Sequence, residues 1–306
     1  MTSFGLRLGT MFTLRRWWRL GGRRLVSCYA VLCLAVLGYA ALGQGTTRIV
    51  SVGGAVTEIV YRLGAGDQLV GVDTSSIYPQ AATELPQVGY QRMLSVEGVL
   101  SLNPTLILLS VEAGPPDAVA LLKSAGLRIV TVSAQHTVAG AQDKIRVIAR
   151  ALDREAEGEA MVAAISRDLE AVRLRLQPIV SKPKVLFIYA RGQGAMSVSG
   201  TQTSADAMIA LAGGTNAVTG YQGFKPLTSE ALVAAAPDLV LIPERGLESV
   251  GGLEHLLNVP GLALTPAGQA RRVVAMDDLY LLGFGPRVGQ VVTTLANHLH
   301  PLPPIR

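Results

Sequence analysis

The sequence predicts an α/β protein of two Rossmann-like lobes that are joined by a long helix. Short apolar segments alternate with amphipathic segments over residues 48–137 and again over 183–306, which is typical of parallel sheets covered by helices. The segment 138–180 between them has helical periodicity and no strand pattern. Two similar lobes are expected to hold a ligand in the cleft between them, near the carboxyl ends of their strands.

The first lobe begins with "RIVSVGG" (48–54), a short apolar run that ends in glycines and indicates a buried strand. The amphipathic segment "AVTEIVYRLGAG" (55–66) predicts a helix that glycine closes. A polar loop (74–92) separates the second strand from the next helix. The later elements are expected as a strand at 68–73, a helix at 95–102, a strand at 105–110, a helix at 116–126 and a strand at 128–133.

Two helical segments, 138–153 and 154–177, then follow with no strand between them, and Pro178 and Pro183 end this region. The alternation of strands and helices restarts after Pro183. The second lobe is expected to contain strands at 184–189, 238–243 and 271–276 and helices at 203–214, 227–236, 251–258 and 285–299.

The second half repeats features of the first half. Five residues of the first half recur at a constant offset in the second: Leu94, Glu97, Pro104, Leu106 and Leu108 correspond to Leu227, Glu230, Pro237, Leu239 and Leu241. The glycine-containing end of the first helix, 64–66, has a counterpart at 212–214. The two lobes are therefore predicted to be related by duplication.

The net charge of the chain comes from its first 24 residues. The formal charge is +5, but six arginines and no acids lie in that segment, which leaves 21 basic and 22 acidic residues elsewhere. A nucleic-acid partner needs a basic patch on the folded part. The sequence shows no such patch, so we expect no nucleic acid.

The N-terminus, residues 1–43, resembles an export signal. A basic segment ends at Arg24, an apolar run covers 25–42, and small residues precede a cleavage point expected after Gly43. A periplasmic location follows from cleavage. The alternative is a retained membrane anchor, because the run has about the minimum length that spans a bilayer.

Both cysteines, Cys28 and Cys33, lie inside this apolar run. "LVSC" (25–28) resembles a lipoprotein cleavage box, but charged residues stand where its apolar core belongs, so we do not predict lipidation. Cleavage after Gly43 leaves a mature protein without cysteine. Disulfides, a thiolate nucleophile and a cysteine-ligated metal are then excluded.

An exported α/β enzyme is the alternative from another class of protein. "GGAVTE" (53–58) lacks the G-x-G-x-x-G spacing of dinucleotide-binding folds, and the phosphate-binding motif G-x-x-x-x-G-K-[ST] is absent from the sequence. Ser51 and Ser197 lack the context of a nucleophile elbow. We therefore predict a binding protein and no catalytic residues.

Three segments resemble the periplasmic haem-binding proteins of bacterial haem ABC importers. These are "RIVSVGGAVTEIVYRLGAGDQLVGVD" (48–73), "YPQAATELPQVGYQRMLSVEGVLSLNPTLIL" (78–108) and "GTQTSADAMIALAGGTNAVTGYQGFKPLTSEALVAAAPDLVLIP" (200–243). The resemblance implies two lobes bridged by a rigid helix, ferric haem b as the transported ligand, an ABC permease as partner and an outer-membrane haem receptor system upstream. The wider clan also binds ferric siderophores and cobalamin, which are the alternative ligands.

In the haem-binding branch, the tyrosine of "VGYxR" is the axial ligand of the iron, and this position is Tyr90 here. A phenolate oxygen suits ferric iron, and tyrosine ligation of haem is known chemistry. A nearby guanidinium favours the phenolate, so Arg92 is expected either to support Tyr90 or to pair with a haem propionate. The spacing alone favours a core tyrosine beside a solvated arginine, and only the family resemblance favours the iron ligand.

Other candidates for the cleft follow from position. Some family members carry a histidine where this chain has Arg191, so a histidine–tyrosine pair, and a two-haem mode that uses it, are not expected here. Arg191 is expected to face a propionate or to form a hydrogen bond near the phenolate, and Arg245 is another candidate for the cleft. The alternative for each is an ordinary surface arginine. His136 is a candidate for the mouth of the cleft, although a role outside the cleft is favoured. Five loop residues are candidates for lining a haem slot, and ordinary loop or core packing is the favoured alternative for each: Tyr78, Met93, Met196, Tyr221 and Phe224.

Glu97 and Glu230 are the paired acids of the internal repeat, each in the first turn of its helix. A carboxylate there interacts favourably with the helix dipole. This structural role requires no partner protein and is the alternative to docking. In the wider clan, acids at these positions contact arginines of the permease. Two widely separated charges of this kind orient docking.

Overall fold

The computed structural model describes residues 47–192 and 196–301. The predicted signal segment, residues 1–43, and both cysteines lie outside the described residues. None of the helices in the described part combines the length and the apolar character that crossing a bilayer requires.

Strands and helices alternate along the described chain. The strands are β1 (Ile49–Val52), β2 (Leu69–Val72), β3 (Gly89–Tyr90), β4 (Met93–Leu94), β5 (Leu106–Ser110), β6 (Arg128–Val132), β7 (Lys184–Ala190), β8 (Met196–Ser199), β9 (Thr215–Asn216), β10 (Phe224–Pro226), β11 (Leu239–Pro243) and β12 (Val273–Met276). The helices are α1 (Gly54–Arg62), α2 (Val96–Ser101), α3 (Pro116–Ser124), α4 (Val138–Ala151), α5 (Glu155–Leu176), α6 (Ser204–Leu211), α7 (Ser229–Ala235), α8 (Glu244–Ser249), α9 (Leu253–Leu257), α10 (Pro266–Gln269), α11 (Asp278–Leu282) and α12 (Val288–Leu299).

The two lobes share one strand order. In the first lobe the parallel sheet runs β2-β1-β5-β6. In the second lobe the parallel strands run β9-β7-β11-β12, and β8 and β10 are added to β7 in antiparallel orientation. β5 and β11 stand at the same place in both sheets and carry the repeated leucines. The α/β fold class with two similar lobes is therefore confirmed.

The strands that the sequence did not predict are short, and most of their residues are not fully buried. β3 and β4 form a two-stranded hairpin. β10 is exposed along its whole length and contains Pro226. Because such strands bury few side chains, they leave no apolar run in the sequence.

Helix α5 lies between the two lobes and belongs to their shared core. Its 22 residues extend about 33 Å. Its buried face, which includes Val162 and Ile165, belongs to one apolar cluster with Ile59 of the first lobe and Phe187 of the second. Because α5 is packed into this core, it joins the two lobes as a packed element and not as a flexible linker.

A buried ion pair joins the lobes beside this core. Glu58 of α1 is 2% exposed, and Arg287, just before α12, donates to its two carboxylate oxygens at 2.6 and 3.0 Å. The Arg287 guanidinium also lies over the rings of Tyr78 and Tyr280, 4.0 and 4.8 Å from their centroids. Breaking such a buried pair costs on the order of 3–5 kcal/mol. The charge of Glu58 is thus satisfied entirely within the protein.

Candidate functional site

The carboxyl ends of the parallel strands of both lobes meet at one cleft of about 380 Å³. In parallel α/β sheets this edge is where ligands bind. Except for β9, each of these strands is followed by a residue that lines the cleft. These residues are Gly53 after β1, Thr74 after β2, Glu112 after β5, His136 after β6, Arg191 after β7, Arg245 after β11 and Asp278 after β12.

Gly54 allows the loop after β2 to approach the start of α1 closely at the edge of the cleft. A Cβ atom on this residue would lie 2.4 Å from the carbonyl oxygen of Ser75 and 2.8 Å from a methyl carbon of Leu279 in the second lobe. The leucine side chain could move, but the backbone carbonyl leaves no room for a side chain. The glycine-rich end of "RIVSVGG" therefore has a packing reason within the first lobe.

Tyr90 lines the cleft from the end of β3, directly before the turn of the β3–β4 hairpin. It is half-buried and pairs with Met93 across the hairpin. The loops on either side hold this turn: the Thr74 amide donates to the Gly89 carbonyl at 2.9 Å, and the Gly114 amide donates to the Gln91 carbonyl at 2.9 Å. The phenol is thus presented by a fixed backbone.

Arg92 lies outside the cleft lining and pairs with an acid that belongs to that lining. Its Nη2 atom donates to a Glu112 carboxylate oxygen at 3.0 Å, and its side chain is 55% exposed. Among the described residues, those that line the cleft include Gln91 and Glu112 but not Arg92. The role of Arg92 toward the phenolate or a propionate stays a prediction.

The second lobe places another tyrosine and arginine in the cleft. The Arg191 Nε and Nη2 atoms donate to the Tyr189 hydroxyl at 2.9 and 2.6 Å, and both residues line the cleft. The hydrogen bond to Tyr189 raises the pKa of Arg191 above its usual value, and the Tyr90 hydroxyl adds to this shift. One guanidinium therefore lies close to both phenols.

Sequence reasoning did not identify Tyr189. A signal was present, since "YAR" (189–191) has the same tyrosine-x-arginine pattern as "YQR" (90–92). Tyr189 is the sixth residue of a buried strand, and in such a strand the pattern predicts that a tyrosine belongs to the core. Its hydroxyl is instead placed at the cleft, where Arg191 reaches it.

Arg245 also lines the cleft, and Asp278 lies near it. Burial raises the pKa of the Asp278 carboxyl, the charge of Asp277 adds to this, and Arg245 opposes it. The Oδ1 atom of Asp278 is buried and has no hydrogen-bond partner among the described residues. The second lobe thus brings two arginines and one incompletely satisfied acid to the cleft.

Lys144 and His136 complete the polar lining on the side of the first lobe. Lys144 projects from α4 and is 5% exposed, and its Nζ atom lies 3.4 and 3.3 Å from the carbonyl oxygens of Gly283 and Phe284. Burial lowers the pKa of His136, whose ring packs against Phe284. The sequence made His136 only a minor candidate for the cleft, and it gave no sign of Lys144, because a lysine on an amphipathic helix usually faces solvent.

The five loop residues expected to line a haem slot are placed elsewhere. None of them belongs to the lining of the cleft in the described part of the chain. Tyr78 stacks on Arg287, and Met93 is 74% exposed. Phe224 packs near the Tyr189 ring, at 6.1 Å between centroids. The side chains that reach the cleft are therefore more polar than the sequence suggested.

Glu97 and Glu230 lie in equivalent surroundings on the two lobes. Both are exposed in the first turn of α2 and α7. The hydroxyls of Ser95 and Thr228 cap these helices by accepting hydrogen bonds from the Gly98 and Ala231 amides at 3.0 and 3.2 Å. Their use in docking stays a prediction, and the duplicated geometry is consistent with it.

Comparison with known proteins gives the family context. Residues 49–280 match the Peripla_BP_2 family, described as periplasmic binding protein. The periplasmic heme-binding protein RhuT from Roseiflexus sp. RS-1 is 46% identical, with a TM-score of 0.81 over 84% of this chain and 98% of that chain.

Two further relatives differ in ligand. The periplasmic heme-binding protein BhuT, solved in complex with two hemes, is 47% identical, with a TM-score of 0.79 over 83% of this chain and 98% of that chain. A vitamin B12-binding protein of Vibrio vulnificus is 25% identical over 67% of this chain and 74% of its own length.

Proposed function

The chain belongs to the periplasmic binding protein family, and we propose that it captures ferric haem in the periplasm and delivers it to an ABC-type importer. The observation that carries this proposal is the placement of Tyr90 in the cleft between the lobes, in a chain with 46% and 47% identity to two heme-binding proteins. Its relatives are binding proteins, which separates it from the enzymes that share α/β folds.

Tyr90 is proposed to supply a phenolate oxygen to the iron. A free tyrosine has a pKa of about 10, so the phenolate needs help to form at neutral pH. Ferric iron favours the phenolate directly, and a nearby cation adds to this. Arg191 is the arginine in the cleft that lies close to Tyr90, so it is proposed to stabilise the phenolate together with the iron.

Tyr189 is proposed to offer a second phenol from the facing lobe. The histidine that some family members carry is absent here, and Tyr189 stands two residues before its position. If both phenols bind one iron, the protein holds one haem. If each phenol binds the iron of a separate haem, the protein holds two haems. Stoichiometry in a haem titration separates these arrangements.

Delivery is proposed to use Glu97 and Glu230 as contacts for arginines of the permease, one on each lobe. The predicted signal at residues 1–43 would bring the chain to the periplasm, and an outer-membrane haem receptor system is expected to supply the haem. ATP hydrolysis belongs to another subunit of the importer. The protein itself then serves haem transport and iron uptake as a carrier.

Cobalamin is the second candidate ligand, because vitamin B12-binding proteins are among the relatives. The test is titration of purified protein with hemin, with cyanocobalamin and with a ferric siderophore. We expect only hemin to bind, with a ferric high-spin spectrum typical of tyrosinate ligation that Tyr90→Ala abolishes. Saturable binding of cyanocobalamin or siderophore, with unchanged hemin spectra in wild type and variant, would reject the proposal.

A further inference from the structure

Lys144 is a buried cation at the border between α4 and the ligand cleft. Its side chain is 5% exposed, yet it belongs to the residues that line the cleft. Among the described residues, the hydrogen-bond partners of its Nζ atom are the carbonyl oxygens of Gly283 and Phe284, at 3.4 and 3.3 Å. These distances exceed the usual 2.9–3.0 Å of such hydrogen bonds. An ammonium group has three donors, so these contacts satisfy it incompletely.

The carboxylate that affects the pKa of Lys144 already has another partner. Glu112 raises the pKa of Lys144, but its carboxylate is bonded to Arg92 at 3.0 Å. Within residues 47–192 and 196–301, Lys144 forms no ion pair with a carboxylate. The neighbouring His136 offers no negative charge; burial lowers its pKa, and Lys144 and Arg92 lower it further. The charge of Lys144 is thus left without a counter-ion from the protein.

Buried charges are normally paired, because an unpaired one has lost its hydration without compensation. An anionic group of the ligand would supply the missing partner of Lys144. We propose that Lys144 binds a carboxylate of the ligand and thereby selects a porphyrin with free propionates. This inference rests on the proposed function and names the residue that recognises the acid groups of haem.

The inference also separates haem from the second candidate ligand. The corrin ring of cobalamin carries carboxamides where haem carries two carboxylates. A carboxamide cannot neutralise a buried ammonium, so a cleft with Lys144 is suited to the acid and not to the amide. Lys144 is therefore proposed as a specificity determinant within a fold that serves several ligands.

The test compares ferric haem with its dimethyl ester, which keeps the iron and the ring but loses both negative charges. Both probes are titrated into wild-type protein, Lys144→Met and the control Lys123→Met. Methionine keeps the length and the apolar stem of the lysine. Lys123 is an exposed lysine of α3 that does not line the cleft.

In Lys144→Met we expect haem binding to weaken by roughly tenfold or more, the loss expected for one buried charge-assisted hydrogen bond. Ester binding and the tyrosinate spectrum should stay as in wild type. The preference of the protein for haem over its ester therefore falls in Lys144→Met and is unchanged in Lys123→Met.

Two results would overturn the inference: wild-type affinity of Lys144→Met for haem, or an equal loss for haem and ester. The unchanged ester affinity also shows that the variant is folded. If wild-type protein binds neither probe, the proposed function fails, and this outcome is distinct from failure of Lys144 alone.

Discussion

Each lobe carries a tyrosine-x-arginine segment beside the cleft, and the two arginines have different partners. In the first lobe Arg92 lies outside the cleft lining and pairs with Glu112, a residue of that lining, at 3.0 Å. In the second lobe Arg191 donates twice to the hydroxyl of Tyr189 and lies close enough to Tyr90 for that phenol to affect its pKa. The same three-residue pattern therefore supplies different chemistry in the two lobes.

The backbone explains the difference. Tyr189 is the penultimate residue of β7, and Arg191 directly follows that strand, so residues two apart face the same side. Tyr90 ends the two-residue strand β3, and Gln91 and Arg92 form the turn to β4. A turn does not preserve the alternation of side chains along a strand, so the Arg92 side chain is not on the same side as Tyr90. A motif thus predicts a role only together with the element that carries it.

The largest effect is expected from loss of both phenols. Tyr90→Phe combined with Tyr189→Phe removes every tyrosine hydroxyl that lines the cleft among the described residues. Haem affinity should fall by more than the roughly 10–100-fold that loss of an outer-shell partner costs. The tyrosinate spectrum should vanish in hemin titration. Retention of that spectrum would place the iron ligand outside the cleft.

Lys144 links the comparison to stability, because the pair of Arg92 and Glu112 leaves this lysine without a carboxylate. Burial lowers the pKa of Lys144 from 10.5 to about 8. Between these values the unfolded chain binds more protons than the folded one, so stability rises with pH. The gain should reach about 3 kcal/mol by pH 10.5.

Denaturant unfolding of the ligand-free protein from pH 7 to 10.5 measures this gain, and Lys144→Met should lack it. Over that range the lowered pKa of His136 keeps its ring mainly neutral, and the other titratable groups are common to both proteins. The difference between the two proteins therefore isolates Lys144. Parallel pH profiles would show that Lys144 is not a destabilising buried cation.

Removal of Arg191 should have the next largest effect. Arg191→Leu takes the guanidinium from both phenols, so haem affinity should fall by on the order of tenfold. The tyrosinate spectrum should form only at higher pH than in wild type, because the phenolate loses a neighbouring cation. A pH series of visible spectra measures this, and an unchanged midpoint would remove Arg191 from the mechanism.

Arg92→Leu is the matched control in the other lobe and should have the smallest effect. Its ion pair is exposed, and such pairs contribute about 0–1 kcal/mol to stability. Haem affinity is expected to stay within about twofold of wild type, since the guanidinium does not line the cleft. A loss as large as that of Arg191→Leu would show that Arg92 turns into the cleft when haem binds.

The sequence predicted the fold class, which is confirmed, and every parallel strand except β9. It also named Tyr90 as a residue of the cleft, and its role there stays a prediction. Apolar runs such as "TLILL" (105–109) and "DLVLI" (238–242) identify central strands because they are buried on both faces. β10 and the β3–β4 hairpin were not predicted, because short exposed strands have no such apolar run.

The missed cleft residues have a common physical cause. Lys144 sits on an amphipathic helix and Tyr189 in a buried strand, where the pattern predicts a solvated lysine and a core tyrosine. What makes each of them part of the cleft is the position of the other lobe. That position depends on contacts distant in sequence, such as Lys144 to Gly283 and Glu58 to Arg287.

A crystal structure of the protein loaded with ferric haem tests the central claim most directly. The account predicts the iron bonded to the Tyr90 hydroxyl oxygen between the two lobes, with the Arg191 guanidinium beside that oxygen. Haem bound with its iron held by another group, and the Tyr90 side chain turned away from it, would contradict the account.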